Sequence, residues 1–511
     1  MRKAFLIHPF LFALFPILSL FAANIKQVPF SQTLLPAAIV LSFAIFLLLA
    51  FRYIFQDYKK SALFVSVFLI IFFSFGHFYF LLARHFSIFK NGYLLSVMGI
   101  LVLAAWGYLV KKIEHADNLT KILNIISISL VAMSLVNIAY FKLNNKFTLT
   151  NYNDTISYQP KLKEKTKLPN IYYIILDGHA REDILKIIYD HDNSPFIDYL
   201  EEKGFYVGDK STANYCQSIL SIPSSLNFEY LQKLLTEINP ESSNWWPLLY
   251  LWRDNRVFSF LKGYGYKTIA FDAQGWCDYL TAKDVDILYN PLSVGTMNGF
   301  QSQLLYTTPI SVILKQHNTQ YTYLRKRILH TFDKLEEISV MEGPFFVFAH
   351  LLTPHQPFIF GEKGEPITPK TDYYTEWYAI LNERDRTEYI ESYKKQVSFI
   401  DKRTQQVIDK ILNNSPVPPI IVLQSDHGPS AYLDPESADN TDHRERMSIL
   451  NAYYFPDRDY TSLHKEITPV NSFRIIFNHF FGTDYELLEA KNYFSSWTRP
   501  CKFIEVTDSI R

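Results

Sequence analysis

The stretch PIIVLQSDHG, Pro419 to Gly428, runs straight from apolar β-branched residues into Asp426, His427 and Gly428. Its apolar part is too short for a core helix and too uniformly apolar for a half-exposed strand. It reads as a parallel strand buried on both faces. Three more runs share this character: NIYYIIL (Asn170 to Leu176), YKTIAFDA (Tyr266 to Ala273) and PFFVFAHL (Pro344 to Leu351). Between them lie amphipathic stretches such as YKKQVSFIDKRTQQVIDKILNN, Tyr393 to Asn414, with apolar residues at helical spacing. Strands alternating with helices predict an α/β domain whose mostly parallel sheet carries helices on both faces. In such sheets the reactive groups gather where strands end at their carboxyl side.

The part of the chain before this pattern has a different character. Five apolar runs, Phe5 to Ala23, Leu34 to Phe51, Ala62 to Ala83, Tyr93 to Val110 and Ile122 to Phe141, each approach the ~20 residues that cross a bilayer core. Residues 1–142 are therefore expected to form a domain of five transmembrane helices, 143–169 a polar linker, and 170–511 the α/β domain. The short loops divide their basic residues unevenly. Arg2, Lys3, Arg52, Lys59, Lys60, Lys111, Lys112 and Lys121 fall on one side, and Lys26, Arg84 and Lys90 on the other. The richer side belongs in the cytoplasm, which places the α/β domain outside it. A basic start followed by an apolar core and LFAAN also fits a cleaved signal peptide, and the α/β domain stays outside either way.

Lys+Arg and Asp+Glu both number 50, so formal net charge is zero and nothing points to nucleic acid. Three cysteines, Cys216, Cys277 and Cys501, exclude a disulfide framework and a Cys-rich zinc module. One disulfide remains open, and spacing does not fix its pair.

The strand ends carry the chemistry. NIYYIIL runs into Asp177-Gly178, PFFVFAHL contains His350 and is followed by His355, and PIIVLQS runs into Asp426-His427-Gly428. A lone Asp after a strand is more often a cap or turn residue than a ligand. Two such ends, one followed by His, make an oxygen and nitrogen set suited to Zn²⁺ or Mn²⁺. A hydroxyl beside that ion would be an activated nucleophile. The segment ANYCQSILSIPSSLN, Ala213 to Asn227, offers several hydroxyls.

Asp177 after a first strand, a hydroxyl residue before a helix and a late Asp-His-Gly together resemble the alkaline phosphatase and sulfatase superfamily. With membrane helices ahead of the domain, the chain is similar to the membrane-anchored branch of lipoteichoic acid synthases and lipid A phosphoethanolamine transferases. The transferases carry a nucleophile in a T-x-x-S-x-P context, and Ser218-Ile219-Leu220-Ser221-Ile222-Pro223 has that layout with Ser for Thr. They also carry a His-x-x-x-x-His pair, matched by His350 and His355. The resemblance implies an alkaline-phosphatase-like fold in a bacterial-type inner membrane. It implies a divalent metal, Zn or Mn, held by Asp177, Ser218, Asp426 and His427. Ser218 and His355 would be catalytic, and His350, His443 and Arg444 would bind substrate. The donor would be a membrane phospholipid and the acceptor a glycan or lipid. Phosphoethanolamine or phosphoglycerol would pass through a covalent intermediate on Ser218. A sulfatase or phosphatase using the same site is the alternative. Formylglycine sulfatases need C-x-P-S-R, and Cys216 is followed by Gln-Ser-Ile-Leu. Ser221, opening S-I-P-S-S, remains a second nucleophile candidate. Ser224 and Ser225 are expected in the first turn of a helix, Arg446 on a substrate anion or exposed, Asp401 in a surface or capping role, and Trp276 and Asp278 after the YKTIAFDA strand.

Overall fold

The computed structural model describes residues 5–89, 92–114, 116–144, 168–271, 280, 284–290, 298–316, 319–369 and 383–510. Most of the linker, with Trp276, Cys277 and Asp278, lies outside the described residues. The chain divides into two compact units. One takes Met1–Thr148, Gln274–Cys277 and Gly295–Thr319, and the other Leu149–Ala273, Asp278–Val294 and Gln320–Arg511.

The first unit contains helices α1 (His8–Asn24), α2 (Leu34–Phe55), α3 (Tyr58–His85), α4 (Tyr93–Lys112) and α5 (Ala116–Asn144). Each covers one of the five apolar runs. By length and composition four can cross a bilayer, and α1 is shorter, at 17 residues. Ala13, Ile17 and Phe21 of α1 pack with Val40, Ala44 and Leu47 of α2 and Val65, Leu69 and Phe73 of α3. Side chains such as Ile39, Phe46, Ile100, Leu101, Ile125 and Val136 face outward, as a lipid-contacting surface requires. A later segment joins this unit. Phe300 and Leu304 enter the same apolar core, and the Gly76 amide donates to Thr307 O at 2.8 Å.

Among the described residues the second unit is built on a sheet of seven strands: β1 (Ile171–Leu176), β2 (Tyr206–Val207), β3 (Lys267–Phe271), β4 (Ile287–Tyr289), β5 (Phe345–Leu351), β6 (Ile420–Gln424) and β7 (Asn451–Tyr454). Their order is β2-β7-β6-β1-β5-β3-β4. The five strands from β6 to β4 run parallel, and β7 and β2 close one edge antiparallel. The apolar runs quoted above became β1, β3, β5 and β6, four of the five parallel strands.

Both faces of the sheet are covered, which explains why β1 shows no polar alternation. Tyr172, Ile174 and Leu176 pack with Leu324, Ile328 and Phe332 of the helix Thr319–Ile338 and with Ile400, Val407 and Ile411 of the helix Glu383–Asn414. On the opposite face, Tyr173 meets Phe473 of the helix Pro469–Phe481 at 5.2 Å between ring centroids. Its hydroxyl bonds Ser225 Oγ at 2.8 Å. Burying such side chains contributes about 1.5–3 kcal/mol each, so the sheet is the rigid base on which the strand-end groups stand.

Candidate metal centre

Register fixes which strand ends meet. Ile175 pairs with His350 of β5 and with Gln424 of β6. Asp177, one residue beyond β1, therefore stands between His350 and Asp426. Gly178 continues with φ at +75°, a backbone conformation glycine adopts without a Cβ penalty. That turn brings the chain back so that the Gly178 amide points at Asp426 Oδ1, 3.3 Å away. Ser425 ties the two loops together, accepting from the His179 amide at 2.9 Å and donating to His427 O at 2.7 Å.

Around this point the ligand-type atoms converge in two overlapping groups that share Asp177. Asp177, His350 and Asp426 form one, and Asp177, His355 and His427 the other, with the ligand atoms of each within 4.8 Å of one another. His350 Nε2 is 3.2 Å from Asp177 Oδ2, and His427 Nε2 is 3.5 Å from both Asp177 Oδ1 and Asp426 Oδ2. Asp177 Oδ1 and Asp426 Oδ2 are buried carboxylate oxygens without a hydrogen-bond partner among the described residues. Two such orphaned oxygens facing imidazole nitrogens are costly without a cation. The donor set, carboxylate oxygen with imidazole nitrogen, suits a divalent ion such as Zn²⁺ or Mn²⁺.

The electrostatics agree. Burial raises the Asp177 carboxyl, but the rings of His355, His350 and His427 outweigh it and hold it below the ordinary carboxylate range. Burial, followed by the Arg446 guanidinium, pushes His427 down to about 4, so its ring is neutral at physiological pH. With its Nδ1–H donated to Gly428 O at 2.9 Å, Nε2 presents its lone pair to the carboxylates. Burial opposes protonation of His350, yet its bond to Asp177 and the Asp177 and Asp426 charges raise it above its usual value.

After helices α6 (Glu182–Tyr189) and α7 (Ser194–Glu202), Ser218 opens helix α8 (Ser218–Asn227), with Gln217 as its N-cap residue. Its Oγ is 3.2 Å from His427 Nε2. The hydroxyl thus sits at a helix N-terminus, where amide N–H groups and the dipole favour an anion. Ser218 is half-buried, whereas Ser221, one turn on, is 2 % exposed. Ser224 and Ser225 fall in the later turns of α8, not its first, because the helix begins at Ser218 and carries Pro223 inside it. Ser224 Oγ donates to Glu229 O at 2.8 Å. Cys216 and Cys501 are both buried and free, so they form no disulfide with each other.

The remaining sequence candidates separate. His355 stands at the rim, its amide donating to Asp177 O at 2.9 Å and its ring 5.9 Å from that of His427. His443 opens the short helix His443–Met447 and packs edge-on against Phe494, in neither ligand group. Arg444 is half-exposed and reaches Asp183 at 3.7 Å.

Two further expectations need correction. Asp401 is not a surface or capping residue: it is 5 % exposed and bonds His179 Nε2 at 2.8 Å. The helical period marked the face that enters the core, but not that a histidine 222 positions earlier would meet the carboxylate there. Arg446 is neither exposed nor open to a substrate anion, because it is 3 % exposed and its guanidinium is taken by backbone and Ser430 oxygens. No local pattern in NTDHRERMS separated it from Arg444.

No curated protein matches the chain. Among solved structures it is similar to the C-terminal periplasmic domain of EcEptC from Escherichia coli, at 15% identity over 67% of this chain and 94% of that one, with a TM-score of 0.45. It is also similar to the soluble domain of lipooligosaccharide phosphoethanolamine transferase A from Neisseria meningitidis, at 14% identity over 61% and 88%, TM-score 0.39. A third is BT1596, a 2-O GAG sulfatase, at 13% identity over 66% and 74%, TM-score 0.39. The Sulfatase family model matches residues 169–475, more than half of the chain and every residue of both ligand groups. The chain belongs to the sulfatase family.

Proposed function

We propose that this protein is a membrane-bound, metal-dependent transferase. It moves a phospholipid-derived headgroup, phosphoethanolamine or phosphoglycerol, to a hydroxyl of an envelope glycan or lipid. The observation that carries the reading is Ser218 Oγ at the N-terminus of α8, 3.2 Å from His427 Nε2 and beside two carboxylates with orphaned oxygens. Asp177, Asp426, His427 and Ser218 would hold the ion, and a bound divalent cation supplies a lowered hydroxyl pKa and charge neutralisation on a phosphoryl group.

The chain's own residues account for the rest. Ser218 Oγ, its proton released to solvent, attacks phosphorus, the new O–P bond forms, and the P–O bond to diacylglycerol breaks. His355 protonates the departing glyceryl oxygen and His350 orients Asp177. The α8 N-terminus steadies the negative phosphoryl oxygens. The acceptor hydroxyl then gives its proton to His355 and attacks the phosphoserine, the Oγ–P bond breaks, and Ser218 Oγ regains a proton from solvent. His443 and Arg444 belong to the acceptor side in this reading. The membrane helices keep the enzyme where a lipid donor resides, and the basic loop bias puts the α/β unit outside the cytoplasm.

A second reading, hydrolysis of a phosphate or sulfate ester with water as acceptor, is favoured by the family match alone. Vesicles containing headgroup-labelled phosphatidylethanolamine or phosphatidylglycerol separate the two. Label on a second molecule supports transfer. Free headgroup phosphate supports hydrolysis, and no release with either lipid refutes the phospholipid donor.

A further inference from the structure

Arg446 sits between two loops that carry the chemistry, and its contacts are unusual for a buried charge. Among the described residues its guanidinium bonds no carboxylate. Nε donates to Cys216 O at 2.7 Å. Nη1 donates to Gly428 O at 2.8 Å, to Ser430 Oγ at 2.8 Å and to Pro429 O at 3.2 Å. Cys216 lies two residues before Ser218, and Gly428 directly follows His427. One planar fork therefore spans the nucleophile segment and the Asp-His-Gly loop.

The contact to Gly428 O matters further, because the same carbonyl accepts from His427 Nδ1 at 2.9 Å. Arg446 thus holds the acceptor that sets the tautomer and tilt of the His427 ring. The backbone runs both ways as well: the Gly428 amide donates to Arg446 O at 2.7 Å, and the Ala213 amide donates to Met447 O at 2.7 Å. A Cβ on Gly428 would lie 2.0 Å from Glu445 O, so the loop is pressed against the strand of chain that carries Arg446. Burying a guanidinium away from carboxylates is costly and calls for a compensating role.

We propose that Arg446 is a positioning residue that locks the Ser218 segment and the Asp426–Gly428 loop in one register, keeping Ser218 Oγ and His427 Nε2 at reacting distance. Charge alone does not suffice for this. A lysine ammonium is a point donor and cannot reach both loops with fixed angles as a guanidinium fork does. Misplacing a reacting group by about 1 Å costs on the order of 100-fold in rate, whereas ground-state binding of a lipid through its own contacts is little affected. The outer partners of metal-bound histidines are each worth about 10–100-fold in metal affinity.

The proposal rests on the functional reading above, and its test keeps the two apart. Arg446→Lys is prepared in the full chain in detergent, with its thermal melt recorded beside the wild type. With headgroup-labelled phosphatidylethanolamine, kcat is expected to fall about 100-fold while KM stays within about threefold. Zn²⁺ binding by titration calorimetry is expected to weaken about 10–100-fold. Wild-type kcat in this variant, or a loss confined to KM, overturns the proposal. If the wild type turns over no phospholipid, the functional reading fails and the Zn²⁺ titration alone decides: weaker binding upholds the clamp and equal binding overturns it. Should Arg446→Lys not fold, Ser430→Ala replaces it. Losing one acceptor of the fork is expected to lower kcat about threefold to tenfold, and an unchanged kcat and Zn²⁺ affinity overturn the proposal.

Discussion

Replacing Ser218 by Ala should separate chemistry from folding more sharply than any other change. Among the described residues Ser218 Oγ makes one hydrogen bond, 3.2 Å to His427 Nε2, and the residue is half-buried. Losing it costs about 1 kcal/mol, the net worth of a single such bond. Helix α8 is not broken, since Gln217 keeps its N-cap place and its carbonyl still accepts from the Ser221 amide at 2.8 Å. Of the residues proposed to hold the ion, Asp177, Asp426 and His427 remain and only the neutral hydroxyl is lost, so most of the Zn²⁺ content should be retained. Turnover is another matter. Without a nucleophile the covalent route closes, and losses of this kind reach about 10⁴-fold or more. That is about 5 kcal/mol of barrier, several times the effect on stability. The assay is transfer from labelled phosphatidylethanolamine vesicles, with mass spectrometry of the peptide that contains residue 218. The wild type should carry a headgroup-sized adduct on Ser218, and Ser218→Ala should carry none. Turnover above about a tenth of wild type in the variant, or a wild-type adduct on Ser221, refutes the assignment.

Removing one orphaned oxygen at Asp426 with Asp426→Asn should lower Zn²⁺ affinity by more than about 100-fold, read by calorimetry, while the neutral amide keeps the loop's shape. Glu445 offers a pH signature of its own. Burial, offset in part by the Tyr189 hydroxyl and by the Tyr432 and Ala431 amides, pushes its carboxyl from 4.5 up to about 7. Between those values the folded chain holds a proton that the unfolded chain has released. Stability should therefore fall as pH rises from 4.5 to 7, by about 3 kcal/mol from this group, and level off above. Glu445→Gln should flatten that slope in thermal melts, and an unaltered slope would count against it.

How far the site could be read from sequence depended on the physics of each residue. Asp177, Asp426 and His427 were legible because strand ends are local events, marked by a change of pattern within a few positions, whereas Ser218 came from the layout SILSIP and the helix start was expected later, at Ser224 and Ser225. His350 and His355 were found by their spacing, and the register of β1 with β5 carries His350 to Asp177. Arg446 and the His179–Asp401 pair were not legible. Their partners lie 16 to 230 positions away, and nothing near them in sequence shows which oxygens close around them.

By itself, the sequence determined the apolar runs that form α1 to α5, the buried strands β1, β3, β5 and β6, and the Asp and His residues at their ends. Hydrophobic period and length are enough for that, because burial on one face, two faces or all round leaves a one-dimensional trace. Only the tertiary structure decided the rest. It set the strand order, and with it the convergence of Asp177, His350, His427 and Asp426. It drew Phe300 and Leu304 into the core of the first unit, and it placed α8 from Ser218 onward so that Ser218 opens toward His427 while Ser221 is buried. These depend on packing between segments remote in the chain, where shape and hydrogen-bond geometry, not local pattern, select the partner.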